Sequence, residues 1–510
     1  MSENSANSYD DLPYGGVPFP QTHPDRLAVM ARLFGVAAPD VATSRVLELG
    51  CAGGENLIPL AVAMPNARFV GLDLSHRQIE MGNQVVSAIG LTNIELAQRD
   101  IADVSAAEGS FDYIIAHGLY SWIPAPVRDK VLAICRDHLT PNGIAYISYK
   151  TFPGWSVPLV LRDMIRLFAM GNAGVHAQLA AARGVLQALG TDLEIDSAYR
   201  AQLREHIDYL GEVRDSYLYH EHLEQTSVPF YFHEFVADAH RQGLEFLSEA
   251  GLGGMGPGQV SPQAAAALQR VTTDYFGLEQ LIDVLVNRSF RQSLLVRADT
   301  QVSRRIDATK VFSLGIASPA RAQTQQTALI SGQPERFDAP NGGTYATANP
   351  LMKSALATLI GEWPLGASFD ELSARARGRL GLPGSASAAE RIGLAEELLR
   401  GYAAGVVELR TWTPPVVAKP GLYPTASPLA RYQAALDGPL TTLLHTRANV
   451  EPYHRMMMPL LDGTRTVDAI QQALAGANQA IPAAPGKRPD AQQYLRRSLE
   501  LMAKVGLLSA

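Results

Sequence analysis

The sequence predicts an α/β fold: a parallel sheet covered by helices on both faces, interrupted by helical insertions and followed by an α-rich C-terminal region. Three observations predict it. Over the first 155 residues short β-like runs alternate with helix-like ones, and such alternation with short connections belongs to a parallel sheet. A glycine cluster follows the first β-like run, in 46-VLELGCAGGENLIPLA-61. Beyond residue 155, apolar residues fall at helical spacing over long stretches.

The β-like runs are 45-RVLEL-49, 68-RFVGLD-73, 94-IELAQ-98, 111-FDYIIA-116 and 143-GIAYISY-149, with helix-like segments at 55–64, 76–90 and 126–139. Ligands of such sheets sit at the carboxyl ends of the strands, so 1–155 is the expected binding core. Ahead of it, 9-YDDLPYGGVPF-19 holds too many prolines and glycines for a regular element but carries Tyr9, Tyr14 and Phe19. It reads as a lid. Thr22 is then a possible helix cap, with Leu27, Met30 and Phe34 as a buried stripe. Residues 156–229 read as a helical insertion. In 230–300, a helix over 230–243 leads into β-like 244–250 and, later, 289–298, expected as the last strands of the same sheet. The polar stretch 301–345 reads as a linker. Two units with a winged-helix pattern follow, 346–415 and 416–510, and the Ala/Pro-rich 474–491 reads as a loop within the second.

Composition narrows the function. A chain of 510 residues, 47% apolar, is too long for one core and should divide into roughly three or four domains. A net charge of −7 gives no overall basic field for a nucleic acid. Two cysteines, Cys51 and Cys135, build neither a disulfide framework nor a multi-cysteine zinc site. The N-terminus lacks a secretory pattern, and no stretch reaches about 18 apolar residues. A cytoplasmic protein with no membrane association is the expectation.

A strand, a glycine turn and a helix present backbone N–H groups to a closely approaching ligand. Gly54 is followed by Glu55 and Asn56 rather than Lys-Ser/Thr, which excludes a Walker site. An acid, Glu48, precedes Gly50 by two residues and suits a cationic ligand better than a pyrophosphate. The second strand ends in Asp73, placed to accept from two ribose hydroxyls, and Asp100-Ile101 after the third offers an acceptor for an adenine amine beside an apolar surface. A nucleoside with a positive amino-acid tail and no phosphate matches these pieces. S-adenosylmethionine (AdoMet) has that form.

The order Glu48-Leu-Gly50-Cys51-Ala-Gly-Gly54, Gly71-Leu-Asp73-Leu-Ser75, Arg99-Asp100-Ile101 and Phe111-Asp112-Tyr-Ile-Ile resembles the class I AdoMet-dependent methyltransferases. Narrower stretches, 8-SYDDLPYGGVPFPQTHP-24, 116-AHGLYSWIP-124, 148-SYKTFPGW-155 and 219-YHEHLEQTSVPFYFHEF-235, resemble bacterial methyltransferases with a methyltransferase regulatory domain. That group is similar to protein lysine methyltransferases acting on outer-membrane proteins. The resemblance implies a Rossmann-like class I sheet. It also implies a methionine moiety lined by Gly50, Cys51, Ala52 and Gly54, a Glu48 that faces its ammonium or orients the loop, a ribose on Asp73 with Leu74 beside it, and an adenine on Asp100 and Ile101. Two departures stand out: Ala52 replaces a glycine common in the class, and Lys150 sits where asparagine is expected.

Methyl transfer from a sulfonium needs alignment and exclusion of water more than covalent help from the protein. A lysine acceptor must also lose a proton, since only about one in a thousand is neutral near pH 7. His117, Tyr120, Tyr149 and Glu221 are the candidate groups, with His117 also able to touch the cofactor. His220-Glu221-His222 lacks the i, i+4 histidine pair of a helical metal site, so no metal is expected. The expected function is methylation of lysine on a protein, with an outer-membrane or surface protein before export as the expected partner. A small-molecule O- or N-methyltransferase and an AdoMet-sensing regulator are the alternatives, and a homodimer through 156–229 is plausible.

Overall fold

The computed structural model describes residues 9–12, 15–191, 194–324, 329–476 and 490–509. Tyr14 and most of the expected 474–491 loop lie outside them. The central sheet has seven strands: β1 (Arg45–Leu49), β2 (Arg68–Asp73), β3 (Ile94–Gln98), β4 (Phe111–Ala116), β5 (Leu139–Lys150), β6 (Leu244–Glu249) and β7 (Phe290–Arg297). Their order is β3-β2-β1-β4-β5-β7-β6. β1 to β5 are parallel, and β7 runs antiparallel to both β5 and β6. The chain builds outward from β1 to β3 and then returns to β4, so a crevice opens at the carboxyl ends of β1 and β4.

Alternation along the strands sends Val46, Phe69, Tyr113, Ile115 and Tyr146 to one face and Leu47, Leu72, Ile114, Ala145 and Ile147 to the other. The first face packs on α1 (Pro24–Leu33), α2 (Leu57–Ala63) and α3 (His76–Ile89), the second on α4 (Ala125–His138). Helix α1 is buried on nearly every side, Leu27 and Met30 included. Its cap differs from the expectation: His23 Nδ1 accepts from Asp25 N at 3.1 Å, because the hydroxyl of Thr22 is already committed to Phe19 O and Asn56.

The insertion forms α5 (Ser156–Ala169), α6 (Val175–Gly190), α7 (Ala198–Glu212) and α8 (Asp215–His222) around a core of its own that includes Leu161, Ile165, Leu179 and Leu210. Helix α9 (Phe232–Arg241) then feeds β6, and α10 (Pro262–Val271) and α11 (Tyr275–Leu285) precede β7.

The stretch 301–345 is not a linker. It contributes strands β8 (Gly315–Ala317), β9 (Arg321–Ala322), β10 (Glu335–Asp338) and β11 (Thr344–Thr347), and buries Val311, Ile316 and Phe337 in the main core. Each strand is too short for a two-residue period to show against polar neighbours. β8 sits between β12 (Ala367–Ser368) and β13 (Glu408–Arg410), and helices α12 (Pro350–Glu362), α13 (Phe369–Arg379) and α14 (Ala388–Ala403) share one core with the seven-stranded sheet. The last unit has a separate core around Leu440, Tyr453, Met457, Leu495 and Met502. In it strand Thr425–Ala426 pairs with Leu508–Ser509. Among the described residues, no helix is long and apolar enough to cross a membrane.

One buried cation holds the far side of the sheet together. Arg291 on β7 is 1% exposed and pairs with Glu249 of β6 at 2.8 Å and with Glu279 and Asp283 of α11 at 3.1 and 2.8 Å, its guanidinium 3.8 Å from the Phe232 ring centre. Removing one member of a buried ion network strands the others. Arg291→Met is expected to cost about 3–5 kcal/mol and to lower the urea midpoint measured by circular dichroism. An unchanged midpoint would show that the three carboxylates need no counter-charge.

Candidate functional site

At the carboxyl ends of β1, β2, β4 and β5 lies a cavity of about 740 Å³. The glycine turn after β1 forms its floor. Gly50 and Gly54 have φ of +75° and +76°, and Ala52 between them sits at φ 51°, a left-handed conformation that costs a residue with a Cβ. The strain is held by Asp73: its Oδ2 accepts from Ala52 N at 2.8 Å, while Oδ1 accepts from Ser75 N at 2.9 Å. Helix α3 comes so close that a Cβ on Gly82 would meet Gly53 O at 2.3 Å. Burial raises the Asp73 carboxyl above the ordinary range.

Glu48 is 3% exposed. Its Oε1 accepts from Asn56 Nδ2 at 2.9 Å, and its Oε2 has no partner, as is true of the buried Glu55 Oε2. Burial, with Glu55 and Asp73 adding repulsion, pushes the Glu48 carboxyl up to about 8, and burial raises Glu55 as well. Asn56 is a hub. Its Oδ1 accepts from Phe19 N at 2.9 Å and lies 2.9 Å from His445 Nε2, and its Nδ2 also donates to Thr22 Oγ1 at 2.9 Å. The N-terminal segment and the last unit of the chain thus meet beneath the glycine turn.

Residues 9–12 and 15–19 of the N-terminal segment lie against the cavity as a strap. Asp10 accepts from Ser75 Oγ at 2.6 Å at the start of α3, and Tyr9 stacks on His220 of α8 with centroids 4.2 Å apart. His220 Nε2 lies 2.7 Å from Leu12 O. Gly16, Val17 and Phe19 line the cavity, and the Phe19 ring lies 4.0 Å from that of His117.

Glu48, Gly50, Cys51, Ala52, Asp73, Leu74, Asp100, Ile101, His117 and Glu221 all line the cavity; Gly54 shapes the turn from below. Tyr120 and Tyr149 do not line it, contrary to expectation. Tyr149 stacks on Phe235 at 4.1 Å with its hydroxyl 3.1 Å from Ser293 Oγ, and Tyr120 packs against Phe230 and Phe235. His117 Nδ1 is 2.9 Å from Tyr146 OH, and burial lowers its pKa to about 4. A base that weak removes a proton from an ammonium poorly.

The other end of the cavity holds groups that the reading of the sequence did not assign. Lys150, at the end of β5, has a side chain 1% exposed, with Nζ 3.0 Å from Glu221 Oε2 and donating to Ser227 Oγ at 2.9 Å. Its ammonium lies 4.3 Å from the Trp122 ring centre and 3.8 Å from that of Trp155. Both tryptophans fall inside the stretches 116–124 and 148–155, so the signal was present without a role attached. Burial lowers the Lys150 pKa to about 8 against the pull of Glu221. Among the described residues, no group of three or more His, Cys, Asp or Glu side chains is arranged to hold a metal ion.

Known proteins share this architecture. Residues 46–143 match the family model of a methyltransferase domain, 214–297 that of a predicted methyltransferase regulatory domain, and 423–506 that of a PKMT C-terminal winged helix domain. The uncharacterized protein RP789 of Rickettsia prowazekii (strain Madrid E) is 33% identical over 505 residues, 97% of this chain and 91% of that protein. The solved structure of PKMT2 from Rickettsia typhi superposes with a TM-score of 0.84 at 26% identity, covering 98% of this chain and 100% of that one. The same protein in complex with AdoHcy gives equal values.

The Glu48 carboxyl has a testable consequence for the ligand-free protein. Raised from 4.5 to about 8, it holds its proton more tightly folded than unfolded, so its contribution to stability falls as pH climbs through that window and is flat above it. Glu48→Gln removes the penalty. The variant should gain on wild type by up to a few kcal/mol at pH 8 to 9 and lose the advantage near pH 4.5, in thermal melts across pH. A difference that does not vary with pH would contradict the assignment.

Proposed function

Because the chain belongs to the class I AdoMet-dependent methyltransferases that carry a methyltransferase regulatory domain and a PKMT winged helix, we propose that it methylates lysine side chains of a protein substrate. AdoMet supplies an electrophilic methyl group on a positive sulfur. Glu48 and Glu55, with their unpartnered buried oxygens, suit the ammonium of its amino-acid tail. Gly50, Cys51 and Ala52 bring backbone against the methionine chain, Asp73 and Leu74 take the ribose, and Asp100 and Ile101 take the adenine. Each carboxylate oxygen of Asp73 accepts one backbone N–H and keeps a lone pair for a ribose hydroxyl.

The observation that carries the lysine reading is the pair of indole faces, Trp122 and Trp155, with Glu221 beside them on the cavity wall, which already receive the ammonium of Lys150. Aromatic faces and a carboxylate bind an alkylammonium. Of the four candidates, Glu221 is the one that stands beside the indole faces on the cavity wall, placed to hold an incoming ammonium and relay its proton toward solvent, while the two tyrosines lie in the core. The last winged-helix unit and the helical insertion supply surface for a polypeptide far beyond what a small acceptor needs.

Both cysteines are free and buried, in keeping with a reducing compartment and with action in the cytoplasm on a surface protein before its export. A homodimer through α5 to α8 belongs to the same proposal. The outer side of α5 exposes Val160, Met164, Leu167 and Phe168, which a second copy would cover; sedimentation as a monomer at micromolar concentration would remove it.

Incubation with methyl-labelled AdoMet and bacterial lysate should yield labelled protein that hydrolyses to methyl-lysine. Label confined to small molecules would overturn the reading. Asp73→Ala should keep the fold and weaken AdoMet binding at least tenfold by calorimetry, since one charge-assisted hydrogen bond is worth about 1.5–3 kcal/mol; unchanged affinity would remove Asp73 from the site.

A further inference from the structure

The occupant of the tryptophan pair is the chain's own lysine. Of the described lysines, Lys150 is the one among the lining residues of the cavity. Its Nζ lies between the faces of Trp122 and Trp155 with Glu221 and Ser227 as polar partners. We propose that Lys150 is itself a methylation site, modified in cis by the same cavity. The inference rests on the reading that this cavity transfers a methyl group to an amine.

Four features support it. Position comes first: Lys150 ends β5, and Gly118, Leu119 and Trp122 follow β4, so this amine shares the carboxyl edge of the sheet with the turn that holds the methyl donor. A proton acceptor is already in contact, since Glu221 Oε2 is 3.0 Å away. The neutral amine is populated. Burial, with Arg162 adding repulsion and Glu221 opposing both, leaves its pKa near 8, whereas a solvated lysine titrates near 10.4, so its neutral fraction at pH 7 is about two orders of magnitude larger. Finally, the product fits, because a methylated ammonium binds aromatic faces as well as its parent does.

The step balances without any further reactant. The ammonium of Lys150 gives a proton to Glu221, which passes it to solvent. The freed Nζ lone pair forms the N–C bond to the methyl group as the C–S bond breaks. That bond's electron pair stays on sulfur, which becomes the neutral thioether of AdoHcy, and the positive charge moves to the methylated lysine. Lys150 keeps its charge and its partners, so the modified chain retains the ion pair with Glu221.

The test uses the full-length wild-type protein, so no variant has to fold. Incubated with methyl-deuterated AdoMet and mapped by peptide mass spectrometry, it should carry the label on Lys150, with a first-order rate independent of protein concentration. A cofactor-free readout accompanies it: formaldehyde with a hydride reductant near pH 7 should methylate Lys150 at least tenfold faster than the solvated lysines. Unlabelled Lys150 in protein that methylates a lysate substrate overturns the inference and leaves the proposed function standing. Labelled Lys150 with no lysate protein labelled upholds the inference and removes the external substrate. A rate that rises with protein concentration, or a Lys150 that formaldehyde reaches last, also overturns methylation in cis.

Discussion

Two carboxylates, Glu48 in β1 and Glu55 after the glycine turn, each keep one buried oxygen that no group among the described residues satisfies. An isolated buried charge is so costly that a group in this position takes up its proton or waits for a cation. The surrounding architecture serves to keep them there. Asn56 fixes one oxygen of Glu48 and in turn holds Phe19, Thr22 and His445, so the strap, the first helix and the last unit of the chain all depend on one amide. Asp25 repeats the device on the other side of α1, accepting from Thr411 and Trp412. The C-terminal half is thereby part of the floor of the site as well as a surface for a partner.

The cavity has two chemically distinct ends. Around the glycine turn it is acidic and lined by close backbone, the environment for a cationic nucleoside. Toward β4 and β5 it is aromatic, with one carboxylate already paired to an internal ammonium. Neutral His117 lies between these ends, packed under Phe19 and bonded to Tyr146. A displacement at a sulfonium requires alignment and exclusion of water, and the two ends share one cavity that Tyr9, Val17 and Phe19 of the N-terminal segment help to line.

Much of this was legible in the residues. Parallel strands buried on both faces read as continuous apolar runs, so β1 to β5 emerged within a few residues, and Glu48, Asp73, Asp100 and Ile101, singled out by their places after successive strands, line one cavity. Tyr149 was misassigned through parity: neighbours along a strand point to opposite faces, so with Lys150 facing the cavity, Tyr149 is sent into the core. Tyr120 turns back in the same way from a short 3-10 segment. The pairing of Asn56 with His445 spans 389 residues, and no local pattern announces it. The 301–345 strands escaped notice because two- to four-residue strands carry almost no periodicity.

The most direct check is calorimetry of AdoHcy binding near pH 7 in two buffers of different ionisation heat. If Glu48 waits protonated for a cationic tail, binding should release close to one proton at pH 7, release little above pH 9, and release none in Glu48→Gln. Tight binding with no proton release at pH 7 would mean that the buried carboxyl does not meet the ligand's charge, and the electrostatic design described for this site would be wrong.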